Sequence, residues 1–375
     1  MSTTTAPPSE PKLIATLRQD LRDVHTSLKT HGFRSLGRSF SELEEFYLSS
    51  TRKQQLAAMN PVKRWLVLAW WLLKSLFFKL TPARRVMLVT GLVLVMTSGR
   101  ATFGSSNVQV GFNMPLVGVT LVLLVLMLEL KDKLLARDEL EAGRAVQRAL
   151  MPDRSPSIPG WDVSLYTRSA NDVGGDLVDF LRLDGTRHAI TVADLAGKGL
   201  PAALLMAKLQ AIIRALAPDA ASLPDLARRV NRTLHRDGIP GSFATMIYLE
   251  LAADSPRVRL VNAGHMPPIV VRGRTFEELS RGALALGVMG DVNYFQQDVD
   301  VARDEVLVVY TDGVTEAMDR AGDFFGDDRL RALLPSFEGL SAADVVARIL
   351  AAVDTFVGDA PPHDDVSLAI LRRTA

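Results

Sequence analysis

No cysteine occurs in the 375 residues. That excludes thiol nucleophiles, disulfide staples and zinc–thiolate sites, and it leaves the redox compartment open. Histidine is scarce, with six in all. An excess of either charge is also missing: 43 Lys and Arg stand against 42 Asp and Glu. Chains built to bind nucleic acid show a basic excess, so nucleic acid is not an expected partner.

The charge that is present is unevenly spread. Residues 1–85 carry 14 Lys and Arg but only 6 Asp and Glu, so the remainder is acidic. A basic first third suggests a membrane-facing segment, and the apolar runs lie beside it. Residues 108–128 (VQVGFNMPLVGVTLVLLVLML) hold no charge over 21 positions, enough to cross a ~30 Å hydrocarbon core as a helix. Residues 86–99 form a shorter apolar run that 101–104 could extend. Ser105, Ser106 and Asn107 between them read as a polar turn. The expectation is a two-span helical hairpin. Lys79, Arg84 and Arg85 precede it and Lys131 and Lys133 follow it, which puts both ends in the cytoplasm. Residues 65–80 are apolar but contain Lys74 and three tryptophans, the pattern of a helix lying in the membrane interface.

Four regions result: an N-terminal helical cytoplasmic region (1–60), a membrane region (61–130), a charged linker helix (131–155) and a second domain (156–375). Leu128, Leu135, Ala142 and Ala149 recur at seven-residue steps along the linker. This weak coiled-coil signal makes a homodimer through that helix a candidate. Met151-Pro152 ends it, and Pro156 and Pro159-Gly160 mark the boundary. The predicted location is the cell inner membrane, multi-pass, with the second domain in the cytoplasm.

From Trp161 the pattern becomes alternation. Strands are expected over 176–183 and 186–192 around Asp184-Gly185, a two-residue hairpin signal. Centring the turn there sets Asp176 opposite Ala193, with Asp194 one step beyond. A strand over 305–311 ends at Asp312-Gly313, and one over 366–371 starts after Asp364-Asp365. Antiparallel pairing of those two would bring Asp312 and Asp364 together. Four acids at strand ends, without sulfur and with little histidine, suit hard cations such as Mg²⁺ or Mn²⁺. Each acid alone reads as a turn or cap residue; the constellation is what carries the signal. A helix over 201–217 follows the glycines at 197 and 199, with proline near its first turn.

The blocks 171–180 (NDVGGDLVDF), 193–203 (ADLAGKGLPAA), 262–268 (NAGHMPP), 310–317 (YTDGVTEA) and 364–371 (DDVSLAIL) resemble, in order, the signature segments of PPM-type (protein phosphatase 2C-like) serine/threonine phosphatases. The resemblance is to the bacterial SpoIIE/RsbU-like subgroup, and it covers about 160–375. It implies an α+β fold, an αββα four-layer sandwich with two central antiparallel sheets, here preceded by an α-helical membrane region. It implies two Mn²⁺ or Mg²⁺ ions held by Asp176, Asp194, Asp312 and Asp364, with Asp194 bridging and the Leu195 carbonyl as a further ligand. Those four acids would be the catalytic set, acting through water acidified between two metals. Asp365 is adjacent and could be taken for Asp364; Asp364 is preferred because it occupies the first position of the block. Eukaryotic relatives carry a histidine where this chain has Ala196; His265 is a candidate substitute or a turn residue. Lys198 is a candidate contact for substrate phosphate or a solvated loop lysine. The implied activity is hydrolysis of phosphoserine or phosphothreonine on a signalling protein, such as an anti-sigma-factor antagonist. The alternatives are a pseudophosphatase that binds a partner without turnover, and another two-metal phosphoesterase.

Overall fold

The computed structural model describes residues 60–97, 99–105, 108–152, 154–237, 241–253 and 255–375. The expected helical region 1–60 lies, but for Asn60, outside them. The chain divides into two compact units, Met1–Asp132 and Lys133–Ala375.

In the first unit, helix α1 (Pro61–Lys79) and helix α2 (Pro82–Met96) each begin at a proline, where the missing N–H costs nothing. Strands β1 (Arg100–Ser105) and β2 (Val108–Asn113) follow and pair antiparallel. Helix α3 then runs from Met114 to Leu150. The helical hairpin expected over 86–128 is therefore corrected. Its two inner arms are strands, because Val108, Val110 and Phe112 alternate with Gln109, Gly111 and Asn113, a period of two. Counting uncharged residues is blind to that period. Helix α2, at 15 residues, reaches about 22 Å at 1.5 Å per residue, short of a bilayer core. Among the described residues one helix, α3, is long and apolar enough to cross a membrane by length and composition. Helices α2 and α3 meet at glycines: a β-carbon on Gly118 would stand 2.5 Å from the Gly91 carbonyl oxygen. Arg84 of α2 joins Glu129 and Asp132 of α3 at 2.7 Å each.

The second unit is a four-layer sandwich. Its first sheet contains β4 (Leu177–Arg182), β5 (Arg187–Leu195), β6 (Ala244–Ala252), β7 (Arg257–Ala263) and β10 (Gln296–Asp300), in the order β10-β7-β6-β5-β4. The second contains β3 (Trp161–Arg168), β8 (Ile269–Arg272), β9 (Thr275–Glu278), β11 (Val306–Tyr310) and β12 (Val366–Arg373), in the order β3-β12-β11-β8-β9. All ladders are antiparallel.

Alternation along the strands creates the layers. Val178, Ile190, Val192, Ile247 and Leu249 of one sheet meet Val163, Leu165, Leu307 and Val309 of the other in the central core. The opposite face of the first sheet is covered by α4 (Leu200–Leu216) and α5 (Leu223–Asp237) through Leu209, Ile213, Leu226 and Val230. The outer face of the second sheet is covered by α6 (Gly326–Leu333) and α7 (Ala342–Val357) through Leu330, Val345 and Ile349. Ser341 caps α7 by accepting from the Asp344 N–H, a cap worth about 1 kcal/mol.

The β4–β5 register departs from the sequence expectation by one residue. Leu177 pairs with Ala193 and Arg182 with His188. The cause is Asp184, whose Oδ1 accepts from the Thr186 and Arg187 N–H groups at 2.8 Å each. This Asx turn draws three residues into the loop instead of two. Continued one step, the observed register sets Asp176 opposite Asp194.

Candidate active site

Four chain segments deliver the acids. Asp176 precedes β4, Asp194 is the penultimate residue of β5, and Asp312 opens the 3₁₀ turn after β11. Asp364 stands two residues before β12. Strands β11 and β12 pair with Tyr310 opposite Leu368, and the ladder continues through the Thr311 N–H to Ser367 O bond at 3.1 Å. The expected neighbourhood of Asp312 and Asp364 is thus present.

Three of the acids have raised carboxyls. Burial raises the Asp176 carboxyl well above its ordinary range, and the Asp194 charge adds to this. Thr311 Oγ1 donates to Asp176 Oδ2 at 2.9 Å, which opposes the shift. Burial pushes Asp194 up to about 6, with Asp312, Asp364 and Asp365 adding to the rise. Asp312 is raised by burial, then by Glu316 and Asp364. Like charges held together in a partly dry site favour protonation or a bound cation.

Asp364 and Asp365 are now distinguishable. Both Asp365 oxygens are engaged by backbone: Oδ1 accepts from the Ala170 N–H at 2.7 Å and Oδ2 from the Gly175 N–H at 2.6 Å. Asp365 therefore organises the 170–175 loop. Among the described residues Asp364 Oδ1 accepts from the adjacent Asp365 N–H, at 2.9 Å, and its Oδ2 faces Lys198 Nζ at 3.2 Å. Lys198 also donates to the His363 carbonyl at 2.9 Å. Its loop turns on Gly197 (φ +115°) and Gly199 (φ +75°), angles that suit glycine. Gly313 is required for a different reason: a β-carbon there would collide with the Asp365 carbonyl. The Leu195 carbonyl stands 3.2 Å from where a Gly175 β-carbon would lie.

His265 is placed away from solvent, 6% exposed. Its backbone N–H donates to Asn262 Oδ1 at 2.8 Å and its Nδ1 lies 2.7 Å from Thr245 Oγ1. Burial pushes the ring down to about 4, so it is neutral at physiological pH.

Gln147 escaped the sequence reading. Near the end of α3, its side-chain amide donates to the Gly174 carbonyl at 2.8 Å and accepts from the Gly174 N–H at 3.2 Å. Gln210 of α4 donates to the Leu150 carbonyl at 2.9 Å. The helix end thereby grips the loop that carries Asp176. The local sequence around Gln147 holds no chemical motif that marks it. Arg214 was also unread; it holds buried Asp179 through two bonds of 2.9 and 2.6 Å, fixing α4 to β4.

As the side chains stand, no three acid or histidine groups among the described residues already meet at one ligating point. The candidate donors nevertheless suit hard divalent ions: they are all oxygens, and Lys198 places a cation against them, at Asp364.

Two antiparallel sheets with helices outside, and carboxylates gathered from β4, β5, β11 and β12, define the fold of PPM-type phosphatases. The family model described as Stage II sporulation protein E (SpoIIE) matches residues 184–374. The chain is 28% identical over 239 residues to the phosphoserine phosphatase RsbU of Bacillus subtilis, spanning 63% of this chain and 70% of that protein. Its fold is that of the SiaA PP2C domain of Pseudomonas aeruginosa, with a TM-score of 0.57 and 20% identity over 64% of this chain and 98% of that one. The RsbU and RsbW domains of a Mycobacterium tuberculosis protein match with a TM-score of 0.50 and 25% identity, covering 59% of this chain and 62% of that one. The chain belongs to the SpoIIE family, the SpoIIE/RsbU-like group of PPM-type phosphatases.

Proposed function

We propose that this chain is a metal-dependent protein phosphatase that removes phosphate from serine or threonine of a signalling protein. The carrying observation is that paired strand ends of the two sheets deliver Asp176, Asp194, Asp312 and Asp364, and burial with neighbouring carboxylates raises Asp194. Asp176, Asp194, Asp312 and Asp364, with the Leu195 carbonyl, would hold two Mn²⁺ or Mg²⁺ ions. Such ions supply an acidified water and positive charge for the phosphoryl oxygens. The chain's own groups do the rest. Asp365 fixes the 170–175 loop, and Thr311 orients Asp176. Lys198, held by the His363 carbonyl and Asp364, would offer its ammonium to a phosphoryl oxygen. His265 is buried and neutral and position 196 is alanine, so water or another group than these protonates the departing serine oxygen.

RsbU is named as a phosphoserine phosphatase, which supports phosphoserine over other phosphoryl groups. The joining of RsbU and RsbW domains in one M. tuberculosis protein supports a substrate within such a regulatory set, an anti-sigma-factor antagonist. The apolar half of α3, exposed at Leu123, Leu126 and Met127, supports membrane attachment through residues 61–130, with the phosphatase unit in the cytoplasm. Leu130, Leu134 and Leu135, exposed further along α3, support pairing of two copies through that helix.

The test uses the purified chain in detergent with a phosphoserine peptide and Mn²⁺. Phosphate release that EDTA stops is expected. Peptide that binds but stays phosphorylated would make the chain a pseudophosphatase. Preferential cleavage of a phosphodiester would make it a different phosphoesterase.

A further inference from the structure

A cleft of about 290 Å³ opens beside the carboxylate cluster. Gly313 and Asp364, which flank or belong to the cluster, form one wall. Met318, Val353 and Val357 supply apolar surface. Arg168 and Asp354 close one end, and they satisfy each other through two bonds of 2.8 and 3.2 Å. The cleft therefore joins an apolar patch to an internally satisfied ion pair at one side and to the Asp364 carboxylate at the other. Its volume lies at the small end of ligand sites, suited to one or two side chains.

We propose that this cleft is a substrate subsite, taking an apolar side chain adjacent to the phosphoserine. The inference rests on the phosphatase reading and adds to it the kind of sequence preferred. The argument is one of continuity. A phosphoryl group on the cluster places its serine against Asp364 and Gly313, which are also the cleft wall. Consecutive Cα atoms are about 3.8 Å apart, so the neighbouring residue passes over the cleft mouth. An acidic side chain there would stand against Asp364, with Arg168 on the lining already paired to Asp354, and would lose water without compensation. A leucine-like side chain would bury its surface at no such cost.

The experiment measures kcat/KM of the full-length protein in detergent with Mn²⁺. The substrates are phosphoserine peptides in which each flanking position in turn is Leu or Gly, with para-nitrophenyl phosphate as a reference without flanks. One flanking position is expected to favour Leu by about tenfold. Ala360→Trp, which fills the cleft from its rim, is expected to erase that preference. It should keep para-nitrophenyl phosphate turnover within about twofold. Met318→Gln, which changes polarity at nearly constant volume, should reduce the preference in the same direction and serves if the larger residue misfolds. Equal rates for Leu and Gly peptides at every position overturn the proposal. So does a Leu preference that survives both variants, or a change in oligomeric state with selectivity untouched, which would assign the cleft to a second copy. A wild-type protein inert towards both peptide and para-nitrophenyl phosphate would overturn the phosphatase reading itself, a different result from activity indifferent to the flanks.

Discussion

Neutralising Asp194 should stabilise the metal-free protein while abolishing its metal binding. The Asp194 carboxyl is raised from 3.8 to about 6. A native state that raises an acid's pKa binds its proton more tightly than the unfolded chain does. Stability from that proton is fully present below about pH 3.8 and is lost as pH rises through about 6. Two units at 1.36 kcal/mol each amount to about 3 kcal/mol at neutral pH. Asp176 and Asp312 shift in the same direction, and the protons are shared among coupled groups. At pH 7.5 in EDTA, Asp194→Asn should therefore raise the melting temperature of the phosphatase unit by about 5–10 °C. At pH 4 the difference should shrink towards zero. Saturating Mn²⁺ should reverse the order, since it stabilises the wild type by mass action and leaves the variant unchanged. Thermal melts followed by near-ultraviolet circular dichroism at the two pH values decide it. A metal-free variant no more stable than wild type at pH 7.5 would refute the claim that these carboxylates crowd one another.

Gln147→Ala strips Gly174 of two hydrogen bonds, at about 1–3 kcal/mol for each buried group left unpaired; calorimetry should show Mn²⁺ affinity reduced about tenfold. Lys198→Met removes the ammonium 3.2 Å from Asp364, so Mn²⁺ should bind more tightly while KM for phosphopeptide rises. A fragment starting at Lys133 should melt higher than one starting at Ser155, because only the first keeps the Gln147 and Leu150 contacts; equal melting temperatures would make that helix end a passive tether.

The acids were legible in the sequence because DG, GD and DD pairs at the ends of alternating segments mark strand termini by local rules. Pairing of β11 with β12 followed from the same pattern. The β4–β5 register was not, since the Asp184 carboxylate, rather than the Asp-Gly dipeptide, sets the loop length. The strands around residues 100–113 were hidden behind a count of uncharged residues that ignored their period of two. Asp364 was preferred over Asp365 by block position alone; the physical reason, that the backbone of the 170–175 loop engages both Asp365 oxygens, appeared only in the structure. Gln147 carried no local signal at all. Its contact spans 27 residues and exists only after the helix end and the loop have folded together.

Isothermal titration of metal-stripped protein with Mn²⁺ tests the central claim most directly. The account predicts two ions per chain for the wild type, and loss of tight binding in Asp194→Asn with phosphopeptide hydrolysis lost in parallel. Undiminished two-ion binding in that variant, or no Mn²⁺ binding by the wild type, would contradict it.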